Sequence, residues 1–251
     1  MSRSAIKFGT VVAFSLALAG LSMCLGCAFV DEQVVAPIHR FKNPDWKTLG
    51  QRVAQYGGTV RPRLEPAFVR AGVSYPPNRV ELLAIKQDRV LEVYGADAGK
   101  PLRYIRSYPV LAASGHFGPK LREGDRQVPE GIYPIEEINP NSTYHLSLRV
   151  GYPNDFDWDH AVAEGRKEPG QDIMIHGNHI SAGCLAMGDK AAEDLFILAA
   201  DAGMPNVKVV IAPVDFRRGA TVPKAAKLPP WTPALYAQIR SAMRELPEPK
   251  G

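Results

Sequence analysis

Between Arg79 and Ala212 the apolar residues recur at strand spacing, in short runs cut by Gly and Pro. Such a pattern confines this part of the chain to a sheet, because a helix needs a period near 3.6. Residues 80–85 and 90–94 predict a hairpin around Lys86-Gln87-Asp88. Residues 102–113, rich in Tyr, Ile and Val, predict one long strand, and residues 132–138, 145–150, 172–175 and 207–212 predict others. Residues 190–202 return to helical spacing, with Asp189 as candidate N-cap and Glu193 and Asp194 in the first turn. Mostly antiparallel strands with few helices predict a mainly β domain with flanking helices, an α+β fold.

The flanks have other periods. Trp46, Leu49, Val53 and Tyr56 are spaced for a helix that Gly57-Gly58 would end, and Leu64, Phe68 and Val69 for a second one over 62–71. Gly72 is its candidate C-cap, and Pro76-Pro77 blocks continuation. After Pro213 a Pro- and Lys-rich strap runs to Pro230. A short amphipathic helix over 232–246 follows, with Thr232 as N-cap and Leu235, Ile239, Met243 and Leu246 on one face.

At the other end, Arg3 and Lys7 precede an apolar run over 11–25 that is too short to read as a membrane span. Leu25-Gly26-Cys27 resembles a bacterial lipoprotein cleavage site, which would make Cys27 a lipidated N-terminus and a membrane anchor; ordinary signal cleavage is the alternative. Both imply export, and the expected location is the periplasm, as a membrane-anchored lipoprotein of a Gram-negative bacterium. The expected organisation is a leader over 1–27, a helical lead-in over 28–77, a β domain over 78–215, and a strap with a C-terminal helix over 216–251. A net charge of only +4, without a Lys/Arg cluster, gives no case for a nucleic-acid partner. No internal repeat is present.

Of the 3 cysteines, only Cys184 lies beyond the N-terminal region, and His176 and His179 stand shortly before it. An imidazole beside a thiol can activate it as a nucleophile. Gly183 leaves the neighbouring backbone open to a substrate carbonyl, and the N–H groups of Gly183 and Cys184 are candidate oxyanion donors. The same residues also fit a buried inert thiol flanked by Leu185, Ala186 and Met187, or ligands of a metal ion, although a structural zinc site wants four ligands. Gly118-Pro119-Lys120, Glu123-Gly124-Asp125 and Pro129-Glu130-Gly131 read as turns with solvated charges. His116, His145 and His160 have no partner at an informative spacing, and His179 reads as a loop residue.

His176-Gly177 followed by Ser181-Ala182-Gly183-Cys184 resembles the signature of the L,D-transpeptidase (YkuD-type) family. Ala182 in place of a second histidine, and the short gap to the cysteine, are similar to its YafK-like branch. Gly118-Pro119-Lys120, Gly124-Asp125 and Pro129-Glu130-Gly131 resemble the family's entrance to the site, while Arg63-Leu64, Ala71-Gly72-Val73, Tyr75-Pro76-Pro77 and Tyr152-Pro153-Asn154 with Asp157 resemble elements of the branch, so the likeness runs from about Arg63 to about Pro213. It implies a β-sandwich-like fold with the active site at one end.

The resemblance also implies a mechanism. Cys184 is the nucleophile, His176 the base, and the Gly177 backbone carbonyl fixes the imidazole tautomer. The thiol attacks the bond between diaminopimelate and a terminal D-alanine in a peptidoglycan stem peptide. A thioester forms, which an amine or water resolves, without cofactor or metal. Ser181, Asn178, Lys120 and Tyr152 are the candidate substrate-binding residues. The expected partners are stem peptides and a peptidoglycan-linked lipoprotein. The short segment between His176 and Cys184 favours hydrolysis over cross-linking; a transpeptidase that forms 3-3 cross-links or attaches lipoprotein to peptidoglycan, and a non-catalytic cell-wall binder, are the alternatives.

Overall fold

Leu82-Leu83-Ala84-Ile85 and Val209-Val210-Ile211-Ala212 are apolar without alternation, as strands covered on both faces must be. In the computed structural model, which describes residues 45–223 and 227–249, these runs lie side by side at the centre of one sheet. The predicted leader and Cys27 fall outside the described residues. The elements in order are α1 (Leu49–Ala71), β1 (Arg79–Ile85), β2 (Val90–Ala96), β3 (Arg103–Pro109), β4 (Ala112–Ala113), β5 (Gly131–Ser142), β6 (His145–Val150), α2 (Asp155–Ala163), β7 (Met174–His176), β8 (Leu185–Ala186), α3 (Asp189–Ala202), β9 (Val207–Ala212) and α4 (Thr232–Met243). The fold is mainly β with flanking helices.

The sheet order is β3-β2-β1-β9-β5-β6-β7-β8-β4. Its pairs are antiparallel except β1 with β9 and β7 with β8. The two edge strands, β3 and β4, are consecutive in sequence and joined by Val110 and Leu111. Val110 donates its N–H to Arg89 at one edge, and Leu111 donates to Ala186 at the other. The sheet therefore curls until its edges nearly meet. This corrects the single strand expected over 102–113: the chain leaves one edge at Pro109, which has no N–H for a ladder, and enters the other.

Side-chain alternation divides the core. Val80, Leu82, Ala84, Val207, Val209 and Ile211 join the cluster that also holds Val60, Leu64 and Phe68 of α1 and Leu195 to Ala199 of α3. Leu83, Ile85, Val210 and Ala212 face the other way, against Leu235, Ile239, Met243 and Leu246. The apolar face expected for the C-terminal helix is thus buried on the sheet. Thr232 is not its N-cap; Trp231 holds that place, and the Thr232 hydroxyl is buried without a partner.

The lead-in is one continuous helix, not two. It starts from a capping box between Thr48 and Gln51 and ends at Gly72 in the left-handed conformation, as expected for that glycine. Gly57, Gly58, Pro62 and Pro66 all lie inside it. Propensity is overridden by packing against α3. Arg61 lies over Gly57, where an added Cβ would meet its guanidinium at 2.5 Å, and reaches Asp201 of α3 at 2.7 Å. Arg63 bonds to the buried Asp194 at 2.6 Å. Asp189 does not cap α3 either; Gly188 occupies that position without a side-chain bond, and the Asp189 carboxylate turns to the Asn178 N–H at 2.8 Å.

Candidate active site

β7 and β8 are parallel neighbours, with Ile175 opposite Leu185 and His176 opposite Ala186. Continuing that register one step back sets Cys184 opposite Met174. Side chains alternate along a strand, so His176 and Cys184 project from the same face of adjacent strands. The two ends of the segment that joins them are tied across the strands, Met187 N–H to the His176 carbonyl at 2.8 Å and Gly188 N–H to the Asn178 carbonyl at 2.9 Å.

His176 is 1% exposed. Its Nδ1 lies 2.6 Å from the Gly177 carbonyl oxygen. A carbonyl can only accept, so Nδ1 carries the proton and Nε2 keeps the free lone pair. Tyr144 packs its ring against the imidazole with centroids 4.8 Å apart. Position 177 has no room for a side chain: a Cβ there would come within 2.6 Å of Asp189 Oδ1 and 2.8 Å of the Tyr144 carbonyl oxygen. Burial pushes the His176 pKa below the ordinary imidazole value, and the Gly177 carbonyl opposes it.

The Cys184 sulfur accepts the Met174 N–H at 3.4 Å and lies 3.7 Å from the Asp172 carbonyl oxygen. Burial pushes the thiol pKa up; the Met174 N–H and the Lys120 charge pull it down, and Asp172 raises it. Both shifts favour the neutral forms of the thiol and of the imidazole. A neutral imidazole with a free Nε2 lone pair, on the same sheet face as the thiol, is the arrangement that general-base activation of sulfur needs.

Ser181 closes the turn at the cysteine. Its Oγ accepts the Cys184 N–H at 3.2 Å and donates to the Cys184 carbonyl at 2.6 Å. On the other side, β4 pairs with β8 and brings Ser114 next to the cysteine. Ser114 Oγ accepts the Gly183 N–H at 2.6 Å and donates to the Arg126 carbonyl at 2.7 Å. Gly183 has φ +110°, a conformation that L side chains rarely adopt. Both backbone donors expected to form the oxyanion site are thus engaged by serine hydroxyls.

Residues 80–211, which span β1 to β9 without α4, match the L,D-transpeptidase catalytic domain (YkuD). The chain belongs to the L,D-transpeptidase catalytic domain family. It is 33% identical over 139 residues to the YafK protein of Escherichia coli strain K12, covering 53% of this chain and 54% of that one. The chain therefore spans about half the length of the curated relatives it matches. It also resembles the helical cell shape determining protein Pgp2 from Campylobacter jejuni, with 24% identity, a TM-score of 0.45, and 55% of this chain and 48% of the other covered. Bd1075 of Bdellovibrio bacteriovorus follows at 19% identity and a TM-score of 0.38, with 66% of this chain and 55% of the other covered.

Within this family fold, His176, Gly177, Ser181, Gly183 and Cys184 come together on β7, β8 and the turn between them. The other sequence candidates are placed differently. Lys120 is 5% exposed and commits its ammonium to Asp125 at 2.6 Å and the Arg122 carbonyl at 2.9 Å. Tyr152 is 5% exposed, with its hydroxyl near the Pro169 carbonyl at 2.9 Å and the Lys120 carbonyl at 3.2 Å. Both side chains spend their polar groups on the loop around them, and the Lys120 charge also acts on the thiol. Asn178 uses its side-chain oxygen on the His179 N–H at 2.6 Å and holds φ +61°, so it shapes the turn. Asn154 and Asp157 form the capping box of α2, a helix the sequence reading did not assign. The Glu130 charge, read as solvated, is fully buried.

Sequence reasoning missed Ser114, Arg126 and Tyr144. Ser114-Gly115 carries only a turn signal, and nothing local says that β4 closes against β8. Among the described residues no group of His, Cys, Asp and Glu is arranged to hold a metal ion, and no helix is long and apolar enough to cross a membrane.

Proposed function

We propose that this protein is a peptidoglycan-modifying cysteine acyl-transfer enzyme that acts at diaminopimelate in stem peptides and resolves its thioester mainly with water. The observation that carries this reading is the placement of His176 and Cys184 on one face of adjacent strands, with the imidazole tautomer held by the Gly177 carbonyl. Nε2 takes the thiol proton as sulfur attacks the peptide carbonyl, and returns it to the leaving amine. Family membership supports the substrate class.

Hydrolysis is favoured because the segment between His176 and Cys184 is short and exposes its middle, His179, Ile180 and Ala182, with Ile180 57% exposed. Such a wall constrains an acceptor amine little, whereas water needs no groove. Purified protein given tetrapeptide muropeptides, and separately lipoprotein-linked muropeptides, is expected to release D-alanine and lipoprotein remnants faster than it forms dimers. Rapid accumulation of diaminopimelate-to-diaminopimelate dimers, with no remnant released, would establish cross-linking instead.

The same reading places the enzyme outside the cytoplasm, anchored through Cys27. Radiolabelled palmitate is expected to enter the wild type and not Cys27→Ser. Equal labelling of both would remove the anchor and leave export by ordinary cleavage.

A further inference from the structure

Arg126 combines three features. It is exposed, and its guanidinium has no ion pair or hydrogen bond among the described residues. Its backbone is left-handed at φ +53°, a conformation that is costly for a residue with a long side chain. It also sits against the nucleophile's own turn: a Cβ built on Gly183 would come within 3.8 Å of the Arg126 Cα.

That position is held from several sides. Ser114 Oγ ties the Arg126 carbonyl to the Gly183 N–H. The Asp125 carboxylate accepts the N–H groups of Leu121, Arg122 and Gln127, which fixes the chain on both sides of Arg126. Lys120, whose charge acts on the thiol, pairs with Asp125, and Arg149 faces Glu137 and Asp172. A strained, pinned backbone that carries an exposed, unpartnered arginine against the turn of the nucleophile needs a reason, and packing does not supply one, because the side chain is exposed.

We propose that Arg126 binds the carboxylate at the end of the peptide that Cys184 attacks, with Ser114 as its positioning residue. The inference rests on the acyl-transfer reading above and adds to it the residue that would hold the free carboxylate of a terminal D-alanine. A guanidinium suits this task because its planar fork donates to both carboxylate oxygens.

The test uses the full chain and does not require turnover. Cys184 is alkylated at alkaline pH with iodoacetate and with iodoacetamide, reagents that differ in a carboxylate against a neutral amide, and the modified peptide is followed by mass spectrometry. The ratio of the iodoacetate to the iodoacetamide rate is expected to fall about tenfold in Arg126→Gln, as expected for losing a charge-assisted hydrogen bond. The iodoacetamide rate should stay unchanged, which shows that the thiol and fold are intact, and Arg126→Lys should be intermediate. An equal ratio in wild type and Arg126→Gln overturns the inference.

A second arm compares a tetrapeptide muropeptide with its C-terminal amide. Arg126→Gln should lower kcat/KM for the free acid about tenfold and leave the amide unchanged; an equal effect on both overturns the inference. Wild-type protein that turns over neither peptide would defeat the acyl-transfer reading, and the alkylation ratio would still decide the role of Arg126.

Discussion

Glu130→Ala is expected to destabilise the folded chain by about 3–5 kcal/mol, the range for removing one partner of a buried ion pair. Glu130 is fully buried and uses both oxygens. Oε1 accepts from Lys86 Nζ at 2.9 Å and the Gly118 N–H at 2.8 Å, and Oε2 accepts from the Tyr236 hydroxyl at 2.8 Å. Lys86 also donates to the carbonyls of His116 at 2.7 Å and Val128 at 3.1 Å. Burial pushes the Lys86 pKa down and the Glu130 charge opposes it, so alanine would leave a buried ammonium without its counter-charge. Glu130→Gln keeps an acceptor for Gly118 and Tyr236 and should cost less. Urea denaturation measures both. A loss below about 1 kcal/mol for the alanine variant would show that water or a neutral lysine replaces the pair. This network pins the loop from Ser114 to Glu130 between β1 and α4, so partial loosening should also reduce activity.

Cys184→Ala is expected to reduce turnover by about 10⁴-fold or more, and His176→Ala by about 10²–10⁴-fold. The folded state should persist in both. Alanine at 184 removes only the sulfur and its long contacts to Met174 and Asp172, and the Ser181 bonds to the backbone remain. The pH profile separates a base from a packing residue. His176 must be neutral to accept the thiol proton. Burial lowers its pKa, so activity should hold across neutral pH and fall only below the ordinary imidazole value of about 6.5. Because burial raises the thiol pKa, its ionisation should appear above the ordinary cysteine value of about 8.5. An acid limb at or above the ordinary imidazole value, or one that persists unchanged in His176→Gln, would remove His176 as the base.

The sequence by itself determined what depends on short-range periodicity and fixed spacing. The hairpin of β1 and β2, the strand β9, the Gly72 cap and the apolar face of α4 follow from residues close together in the chain. The grouping of His176, Gly177, Ser181 and Cys184 was legible for the same reason: a tight turn between short parallel strands carries them all. Only the tertiary structure decided the rest. Gly57-Gly58 and Pro62 disfavour a helix locally, yet α1 runs through them because Arg61 and Arg63 bond to α3 far along the chain. The break between β3 and β4 exists because the sheet curls until its edges meet at Val110 and Leu111. Lys120, Tyr152 and Glu130 lie in stretches read as turns or substrate contacts, but burial joins their polar groups to partners remote in sequence. Ser114 and Arg126 reach the thiol through the pairing of β4 with β8. That pairing depends on closure of the whole sheet, a long-range event that no local spacing encodes.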